Sequence, residues 1–324
     1  MDIVWKKVLL VWNRWHKNLW DELILVGNIK FLIKKNKKIY VACSNKEWLI
    51  NFHRQFFDTS NITYIQELPK GFRSFFKFFK KLWDIKYYFK IDSVIIWWGE
   101  ILTEETPFSY YYWILSIWPV MFFKNLYLTW GVQIPKKIRN KIAFSLITKL
   151  AKKIYVRDYD LIDNKKLKDK IEFFPDTSLF VYDDINLQNY TWHYKTKQEK
   201  YIIVNVNKKA ENFFEKVEKI VDDYYYRKDY IVYFAWICKS PKDNDIIYYH
   251  KLKEKYKSIR LLDYEKDFWY FVDILADAEK IYTTRLHLFL VSFYLWKQVN
   301  SFVYERKVEK MKEVLLKTNN KSKL

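Results

Sequence analysis

Glycine is scarce in this chain, and tryptophan stands where glycine would be expected. The 324 residues hold 4 glycines against 15 tryptophans. Trp97 and Trp98 end one apolar run, Trp130 ends another, and Trp20 lies between a strand-like and a helix-like segment. Such junctions often need a positive φ or a close backbone approach, which costs glycine little and an aromatic residue much. We therefore expect glycine-like backbone at these positions.

One explanation is a gene in which UGA encodes glycine but has been translated as tryptophan. Counting every tryptophan as glycine would bring glycine to about 6% of the chain, close to the usual roughly 7%. The alternative is a protein that is truly rich in tryptophan. The recoding hypothesis predicts UGA codons at Trp12, Trp15, Trp20, Trp97, Trp98 and Trp130. UGG codons at these positions would rule it out.

Cysteines and long apolar runs are also few. Cys43 and Cys238 are far apart in the sequence and have no metal-binding spacing, which excludes a disulfide framework and favours a reducing compartment. Residues 107–123 carry no charge, but their aromatic residues and Pro119 favour a buried helix followed by a strand over a membrane span. The start of the chain lacks the pattern of a signal peptide. We expect a cytoplasmic protein, with the inner face of the membrane as a further place of action.

Positive charge is plentiful but diffuse. The chain has 58 Lys and Arg residues against 38 Asp and Glu residues, for a net charge of +20. Short basic runs such as 34–38 are weaker evidence than a basic patch, so we expect no nucleic-acid partner. Residues 72–83 mix aromatic and basic side chains, which is typical of a helix on a membrane surface and equally of an ordinary amphipathic helix.

Short β-rich runs alternate with longer amphipathic segments, a pattern typical of parallel sheets covered by helices. The first half of the chain predicts a helix at 21–35 and strands at 7–12, 38–43, 61–65, 92–97, 125–130 and 153–156. The second half predicts helices at 208–226 and 286–295, and strands at 201–206, 230–235, 258–262, 280–283 and 298–303.

The apolar periodicity is lost over residues 183–199, which indicates a linker. We predict an α/β fold of two Rossmann-like domains, residues 1–182 and 200–316, followed by a tail at 317–324. The arrangement would be like that of type B glycosyltransferases, with the domains facing an interdomain cleft. Open α/β sheets bind ligands beyond the carboxyl ends of their strands, so the residues after each strand are the candidate site.

The first such strand end is crowded with polar residues. With its tryptophans replaced by glycines, it would be a glycine-rich loop leading into a helix, whose N–H groups and dipole favour an anion or a sugar hydroxyl. The simpler alternative is that Asp21 and Glu22 only cap the helix. Besides these two acids, the loop carries Arg14, His16, Lys17 and Asn18.

Other strand ends carry cations. Arg285 and His287 lie where a strand leads into a helix, a favourable place to hold phosphate or carboxylate. Arg157 either pairs with neighbouring aspartates or lines the cleft. Tyr304 and Lys307 follow the last strand and either begin a solvated helix or line the cleft.

The chain resembles the polysaccharide pyruvyl transferase family in an ordered set of short motifs that covers nearly its whole length. The motifs are Asn18-Leu-Trp-Asp-Glu, Trp97-Trp-Gly, Trp130-Gly-Val-Gln-Ile-Pro, Val156-Arg-Asp, Pro175-Asp-Thr-Ser-Leu, Thr284-Arg-Leu-His and Tyr304-Glu-Arg-Lys-Val. Departures from the family pattern fall mainly on glycines, several of which are tryptophan here. Gln133, Thr177 and Ser178 also depart from it.

The resemblance implies that a pyruvyl group moves from phosphoenolpyruvate to two hydroxyls of a sugar in a cell-surface polysaccharide precursor, forming a ketal. It implies an acceptor side in the first domain and a donor phosphate site in the second. We expect no cofactor and no metal, since phosphoenolpyruvate is a donor substrate. The acceptor would be a saccharide or a lipid-linked saccharide, which allows a peripheral membrane contact.

The resemblance also implies roles for the candidate residues. His287 would be the general acid, and Asp21, or else Glu22, would accept the proton of the sugar hydroxyl across the cleft. Arg285 and Arg157 would bind the anionic groups of the donor. The remaining substrate-binding candidates are Asn18, Arg14, His16, Tyr304 and Lys307. Two rival functions are a two-domain glycosyltransferase that uses a nucleotide-sugar and a non-catalytic basic protein on the membrane surface.

Overall fold

The chain folds into two compact units, one formed by Met1–Trp15 and Leu23–Val181 and the other by His16–Glu22 and Tyr182–Leu324. The structure is a computed structural model. It describes residues 6–12, 18–68, 84–97, 111, 114, 124–129, 134–156, 167–174, 177–178, 180–181, 199–227, 229–240, 243–295, 297 and 299–302. Most of the segment 107–123, all of 72–83, the linker up to residue 198 and the tail 317–324 lie outside these residues.

A seven-stranded parallel sheet forms the core of the first unit. Its spatial order is β3-β2-β1-β4-β5-β6-β7. After β3 the chain returns to the middle of the sheet and places β4 beside β1, so the crossover point lies between these two strands. All neighbouring pairs are parallel. The strands are β1 (Lys7–Trp12), β2 (Lys38–Cys43), β3 (Ile62–Gln66), β4 (Ser93–Trp97), β5 (Asn125–Thr129), β6 (Ala151–Val156) and β7 (Ile171–Phe173).

Helices cover this sheet because their apolar positions match its buried faces. The helix α1 carries apolar residues on every side and is buried over most of its length, as expected of a helix in a protein core. The side chain of Asn45 caps α2 by accepting the backbone N–H of Trp48 at 3.1 Å. The described helices of this unit are α1 (Leu19–Lys34), whose first residues belong to the second unit, α2 (Lys46–His53), α3 (Ile85–Lys90) and α4 (Ile138–Leu150).

The second unit contains a five-stranded parallel sheet in the order β10-β9-β8-β11-β12. The chain starts in the middle at β8, and its crossover point lies between β8 and β11. The strands are β8 (Lys200–Asn205), β9 (Tyr230–Trp236), β10 (Arg260–Asp263), β11 (Lys280–Thr283) and β12 (Val299–Ser301). The helices are a 3₁₀ helix (Lys208–Phe213), α5 (Phe214–Tyr225), α6 (Ile246–Lys255), α7 (Phe268–Asp277) and α8 (Leu286–Tyr294).

The predicted α/β fold with parallel sheets is confirmed, and the predicted strands agree with the structure to within two residues at each end. Two features differ. The short strand β7 was not predicted, because its residues are only half-buried or exposed and show no long apolar run. The helix predicted at 208–226 begins as a separate 3₁₀ helix, since Ala210 leaves helical geometry at φ −116° and ψ 29°.

The left-handed backbone expected at the tryptophans is absent from the described ones. Trp12 and Trp97 lie in strands and Trp20 lies in α1. Among the described non-glycine residues, Asn36 alone has a positive φ, of 52°. Of the two glycine-like features expected at Trp20 and Trp97, positive φ is therefore absent. Trp15, Trp98 and Trp130 lie outside the described residues, and the codon assignment stays a prediction.

A close backbone approach does occur at Gly27, in the middle of α1. A Cβ atom on Gly27 would lie 1.9 Å from the carbonyl oxygen of Thr177. The hydroxyl of Thr177 donates a hydrogen bond to the Ile24 carbonyl at 3.1 Å, and both Thr177 and Ser178 are buried. Glycine is thus needed here because the 177–178 segment packs directly against the helix backbone.

Substituting Gly27 by alanine is expected to destabilise the first unit by about 1–3 kcal/mol, because the new methyl group would displace backbone atoms of Thr177. This cost exceeds the gain of up to about 1 kcal/mol that alanine brings to a helix interior. Urea denaturation measures the difference. As a control, Lys34→Ala at an exposed position of α1 should change stability by less than about 0.5 kcal/mol. A Gly27→Ala protein as stable as the wild type would show that the close approach does not exist.

His53 is a buried histidine that links pH to stability. Its Nδ1 atom lies 2.7 Å from the hydroxyl of Tyr64. Burial lowers the pKa of His53 to about 3, whereas an unfolded chain gives histidine a pKa of about 6.5. Between these values only the unfolded state binds the proton. The free energy of unfolding should therefore fall as the pH falls through this window, by up to about 1.4 kcal/mol per pH unit.

We expect His53→Phe to remove this part of the pH dependence. Denaturation curves recorded from pH 7 to pH 4 would give the slope of unfolding free energy against pH for each protein. His250→Gln is the matched control, because His250 is exposed on α6. Identical slopes for the wild type and His53→Phe would contradict the buried neutral state of His53.

Candidate functional site

The carboxyl ends of β8, β9 and β11 meet in a buried polar network at the crossover point of the second sheet. Asn205, the last residue of β8, donates from Nδ2 to the Ala235 carbonyl at 3.0 Å and to Asp245 Oδ2 at 3.1 Å. The hydroxyl of Thr283, the last residue of β11, donates to Asn205 Oδ1 at 3.3 Å. This is the place where an open parallel sheet binds ligands.

The fully buried carboxylate of Asp245 is the centre of this network. Its Oδ2 atom accepts the backbone N–H groups of Ile237 at 3.3 Å and Cys238 at 3.1 Å. Both of its oxygens accept from Arg285, with Nη2 at 2.5 Å from Oδ1 and Nε at 3.2 and 3.3 Å from Oδ1 and Oδ2. Burial raises the pKa of Asp245 and the Arg285 charge opposes this shift. Because every group that is hydrogen-bonded to this carboxylate donates to it, we assign the ionised form.

Arg285 is held by a second carboxylate as well. Its Nη1 donates to Asp243 Oδ2 at 2.8 Å and its Nη2 to the Asp243 carbonyl at 3.1 Å. Burial alone would lower the pKa of Arg285, but Asp245 and Asp243 outweigh it and raise the pKa. The three side chains together carry a formal charge of −1. These bonds use four of the five guanidinium N–H groups, so among the described residues one N–H of Nη1 has no acceptor.

His287 lies at the second position of α8, two residues after Arg285. Arg285 is the residue before the helix, with extended backbone at φ −94° and ψ 122°. Its backbone N–H donates to the Thr283 hydroxyl at 2.9 Å, which fixes the turn from strand into helix. His287 is half-buried. The structure thus places both predicted residues at the amino end of a helix, where backbone N–H groups and the helix dipole favour an anion.

The segment that carries Asn18 pairs with the loop held by Asp245. Asn18 forms an antiparallel bridge with Cys238, and the Leu19 N–H donates to the Ile237 carbonyl at 3.0 Å. Burial raises the pKa of the Cys238 thiol to about 12, so the thiol is protonated at neutral pH. Asn18 and Arg285 are therefore linked through two residues, Cys238 and Asp245.

Asp21 and Glu22 follow in the first turn of α1 and are both buried. Burial raises the pKa of Tyr264 well above its ordinary value, and the nearby negative charge of Glu22 raises it further. Glu22 thus lies near the residues that follow β10. Residues 16–22 belong to the second unit, the unit that also holds Arg285 and His287.

The other predicted site residues lie outside the described residues. They are Arg14, His16, Arg157, Tyr304 and Lys307.

The sequence did not point to the acidic residues that hold Arg285. Asp243 and Asp245 follow β9 by several residues. The only feature of the sequence that could have indicated them is an acidic pair beyond the end of a strand. A second buried charge cluster lies beside them. Lys239 pairs with Asp263 at 2.5 Å and with Glu265 at 3.3 Å. It ties the loop after β9 to the end of β10.

The described residues contain no group of three or more His, Cys, Asp or Glu side chains placed to hold a metal ion. No helix among them is both long and apolar enough to cross a membrane.

Comparison with known proteins gives one family and one fold. A family model described as polysaccharide pyruvyl transferase matches residues 21–305. No curated protein matches the chain significantly in sequence. Among solved structures, Staphylococcus aureus MnaA with UDP is similar at a TM-score of 0.56 and 15% identity, covering 92% of this chain and 80% of that one.

Two further structures are similar to about the same degree. A putative UDP-N-acetylglucosamine 2-epimerase from Listeria monocytogenes has a TM-score of 0.57 and 11% identity, covering 95% of this chain and 82% of that one. A glycosyltransferase from Rickettsia africae has a TM-score of 0.52 and 14% identity, covering 92% of this chain and 79% of that one. At such identities the likeness shows the fold alone, and it confirms the predicted fold class of two Rossmann-like halves.

Proposed function

The chain belongs to the polysaccharide pyruvyl transferase family, and from this we propose that it transfers the pyruvyl group of phosphoenolpyruvate to two hydroxyls of a saccharide. The acceptor is a precursor of a cell-surface polysaccharide, and the reaction takes place in the cytoplasm. One observation carries the proposal. Arg285 and His287 lie together at the amino end of α8, at the crossover point of the second sheet. The reaction needs a group that binds the anionic donor and a group that gives a proton at one place, and Arg285 and His287 are suited to these two tasks.

The chemistry defines what the residues must do. One sugar hydroxyl adds to C2 of the enolpyruvyl group while the methylene carbon gains a proton and becomes a methyl group. The second hydroxyl then forms its bond to C2, the bond between C2 and the phosphate oxygen breaks, and inorganic phosphate leaves with the proton of the second hydroxyl. A general acid is needed for the methylene carbon and a general base for the hydroxyls.

We assign the residues to these steps as follows. His287 protonates the methylene carbon, and Asp21, or else Glu22, accepts the hydroxyl proton. Asn18 holds a sugar hydroxyl. Arg285 presents its remaining N–H toward the donor, together with the backbone N–H groups at the start of α8.

The charge of the network sets a further requirement. Arg285, Asp243 and Asp245 sum to −1, whereas the donor carries a phosphate and a carboxylate. More positive charge must therefore come from other residues. Arg157, Lys307 and Arg14 are the proposed sources, with His16 and Tyr304 completing the substrate-binding set.

A second candidate function is glycosyl transfer from a nucleotide-sugar. It is favoured by one observation, that similar structures include a protein determined with UDP and a glycosyltransferase. Both activities suit a saccharide acceptor, and they differ in the donor. The donor therefore decides between them.

Titration calorimetry on the full chain, with phosphoenolpyruvate and UDP-N-acetylglucosamine as separate titrants, tests the proposal. We expect phosphoenolpyruvate to bind and to raise the melting temperature, because a ligand of the native state stabilises it by about 2.7 kcal/mol at a hundred times its Kd. Inorganic phosphate serves as the control for simple anion binding. Binding of the UDP-sugar without binding of phosphoenolpyruvate would favour the second candidate and refute the first.

A further inference from the structure

Helix α4 of the first unit has an aliphatic row that faces solvent. Ile138, Ile142 and Leu146 are spaced four residues apart and are 80%, 68% and 37% exposed, and Ile134 just before the helix is 51% exposed. Residues four apart lie on one side of a helix, so the row is continuous over more than two turns. Single exposed apolar residues are common, but an aligned set of four marks a contact surface.

The opposite side of α4 already has its partner. Ala143 and Ile147 are fully buried and belong to the hydrophobic core of the first sheet. The helix therefore has a second apolar side beyond the one that its fold requires. Because α4 is anchored on the sheet, its exposed row is held in place before any partner binds, and binding costs no helix folding.

The charged residues of the segment that carries this row are all positive. Residues 134–156 contain no Asp or Glu. The exposed cations on and next to α4 are Lys136, Lys137, Arg139, Lys141 and Lys149. A second copy of the same face would bring these charges together, so self-association through the row is disfavoured. The partner must be both apolar and negatively charged.

We propose that this face, formed by Ile134, Ile138, Ile142 and Leu146, binds the surface of an anionic lipid membrane. An interfacial helix has a straight apolar row between cations whose long stems reach toward the headgroups. The row and its flanking cations match that pattern along the length of α4. Each Lys or Arg near an anionic surface adds to the attraction. The proposal is independent of the reaction, because membrane binding is measured without substrate.

Flotation of the full chain with vesicles tests the proposal. We expect binding to phosphatidylglycerol vesicles, little binding to phosphatidylcholine vesicles, and loss of binding at high salt. The double substitution Ile138→Ser and Ile142→Ser should reduce binding about tenfold or more, because it removes the two most exposed members of the row. Substituting Lys137 and Lys141 by glutamine should weaken binding about fivefold per charge.

A matched control is the double substitution of Ile33 and Ile247 by serine, since both are exposed isoleucines on other helices. It should bind vesicles like the wild type. All variants change exposed residues, and their circular dichroism melting curves should match that of the wild type. Equal flotation of the α4 variant and the wild type would overturn the proposal and direct attention to residues 72–83. Absence of wild-type binding would also overturn it, as would a dimer in light scattering that the α4 substitutions convert to a monomer.

Discussion

Replacing Asp245 by alanine is expected to lower the free energy of unfolding of the second unit by about 3–5 kcal/mol, the usual cost of removing one partner of a buried ion pair. The substitution leaves the Arg285 charge with Asp243 alone. It also removes the acceptor of the Ile237 and Cys238 N–H groups and of the Asn205 amide. Denaturant titration followed by circular dichroism measures the loss.

The exposed pair of Lys200 and Asp229 provides the control for this experiment. These side chains lie 3.5 Å apart and both are mostly exposed, so Asp229→Ala should cost no more than about 1 kcal/mol. If Asp245→Ala cost as little as Asp229→Ala, the carboxylate would not be the centre of the network. Asp245→Asn keeps the shape of the side chain, so it should fold better than alanine while binding phosphoenolpyruvate more weakly, because Arg285 is then held less firmly.

Replacing His287 by alanine is expected to lower turnover by roughly 10²–10⁴-fold, the range typical of a general acid. Phosphoenolpyruvate binding should change much less, since Arg285 and the helix N–H groups remain in place. Phosphate release at saturating donor and acceptor measures turnover, and calorimetry measures binding. His250→Ala is the control, because His250 is exposed on α6 and has no role in the proposed reaction. Full turnover by His287→Ala would rule out the assignment.

The sequence predicted the central strands well because these strands are almost entirely buried. In β2 and β8 all residues but the first are buried, and in β4 all five are, so these strands read as continuous apolar runs. The strand β7 has no such run and was missed. The 3₁₀ helix after β8 was missed because its separation depends on the side chain of Asn207, which accepts the Ala210 N–H at 3.0 Å.

The candidate site was only partly predictable from the sequence. Arg285 and His287 were found because a strand leads directly into an apolar helix there. The partners of Arg285 were not, because Asp243 and Asp245 are about forty residues away along the chain and their approach depends on the strand order of the sheet. The pairing of Asn18 with Cys238 joins residues even further apart, and no local pattern reports it.

The position that requires glycine also depends on contacts between distant parts of the chain. Positive φ or a close backbone approach was expected at strand ends, yet Trp97 ends β4 as a fully buried residue without positive φ. The close approach that glycine permits lies instead at Gly27, inside a helix, where the sequence has no turn signal. The contact with Thr177 decides that position, and it arises only in the folded chain.

The most direct test of the proposed function is to incubate the protein with phosphoenolpyruvate and candidate saccharide acceptors and to follow both products. The account predicts that phosphate is released only when an acceptor is present, and that nuclear magnetic resonance detects one pyruvyl ketal for each phosphate released. Consumption of a UDP-sugar with phosphoenolpyruvate left intact would contradict it.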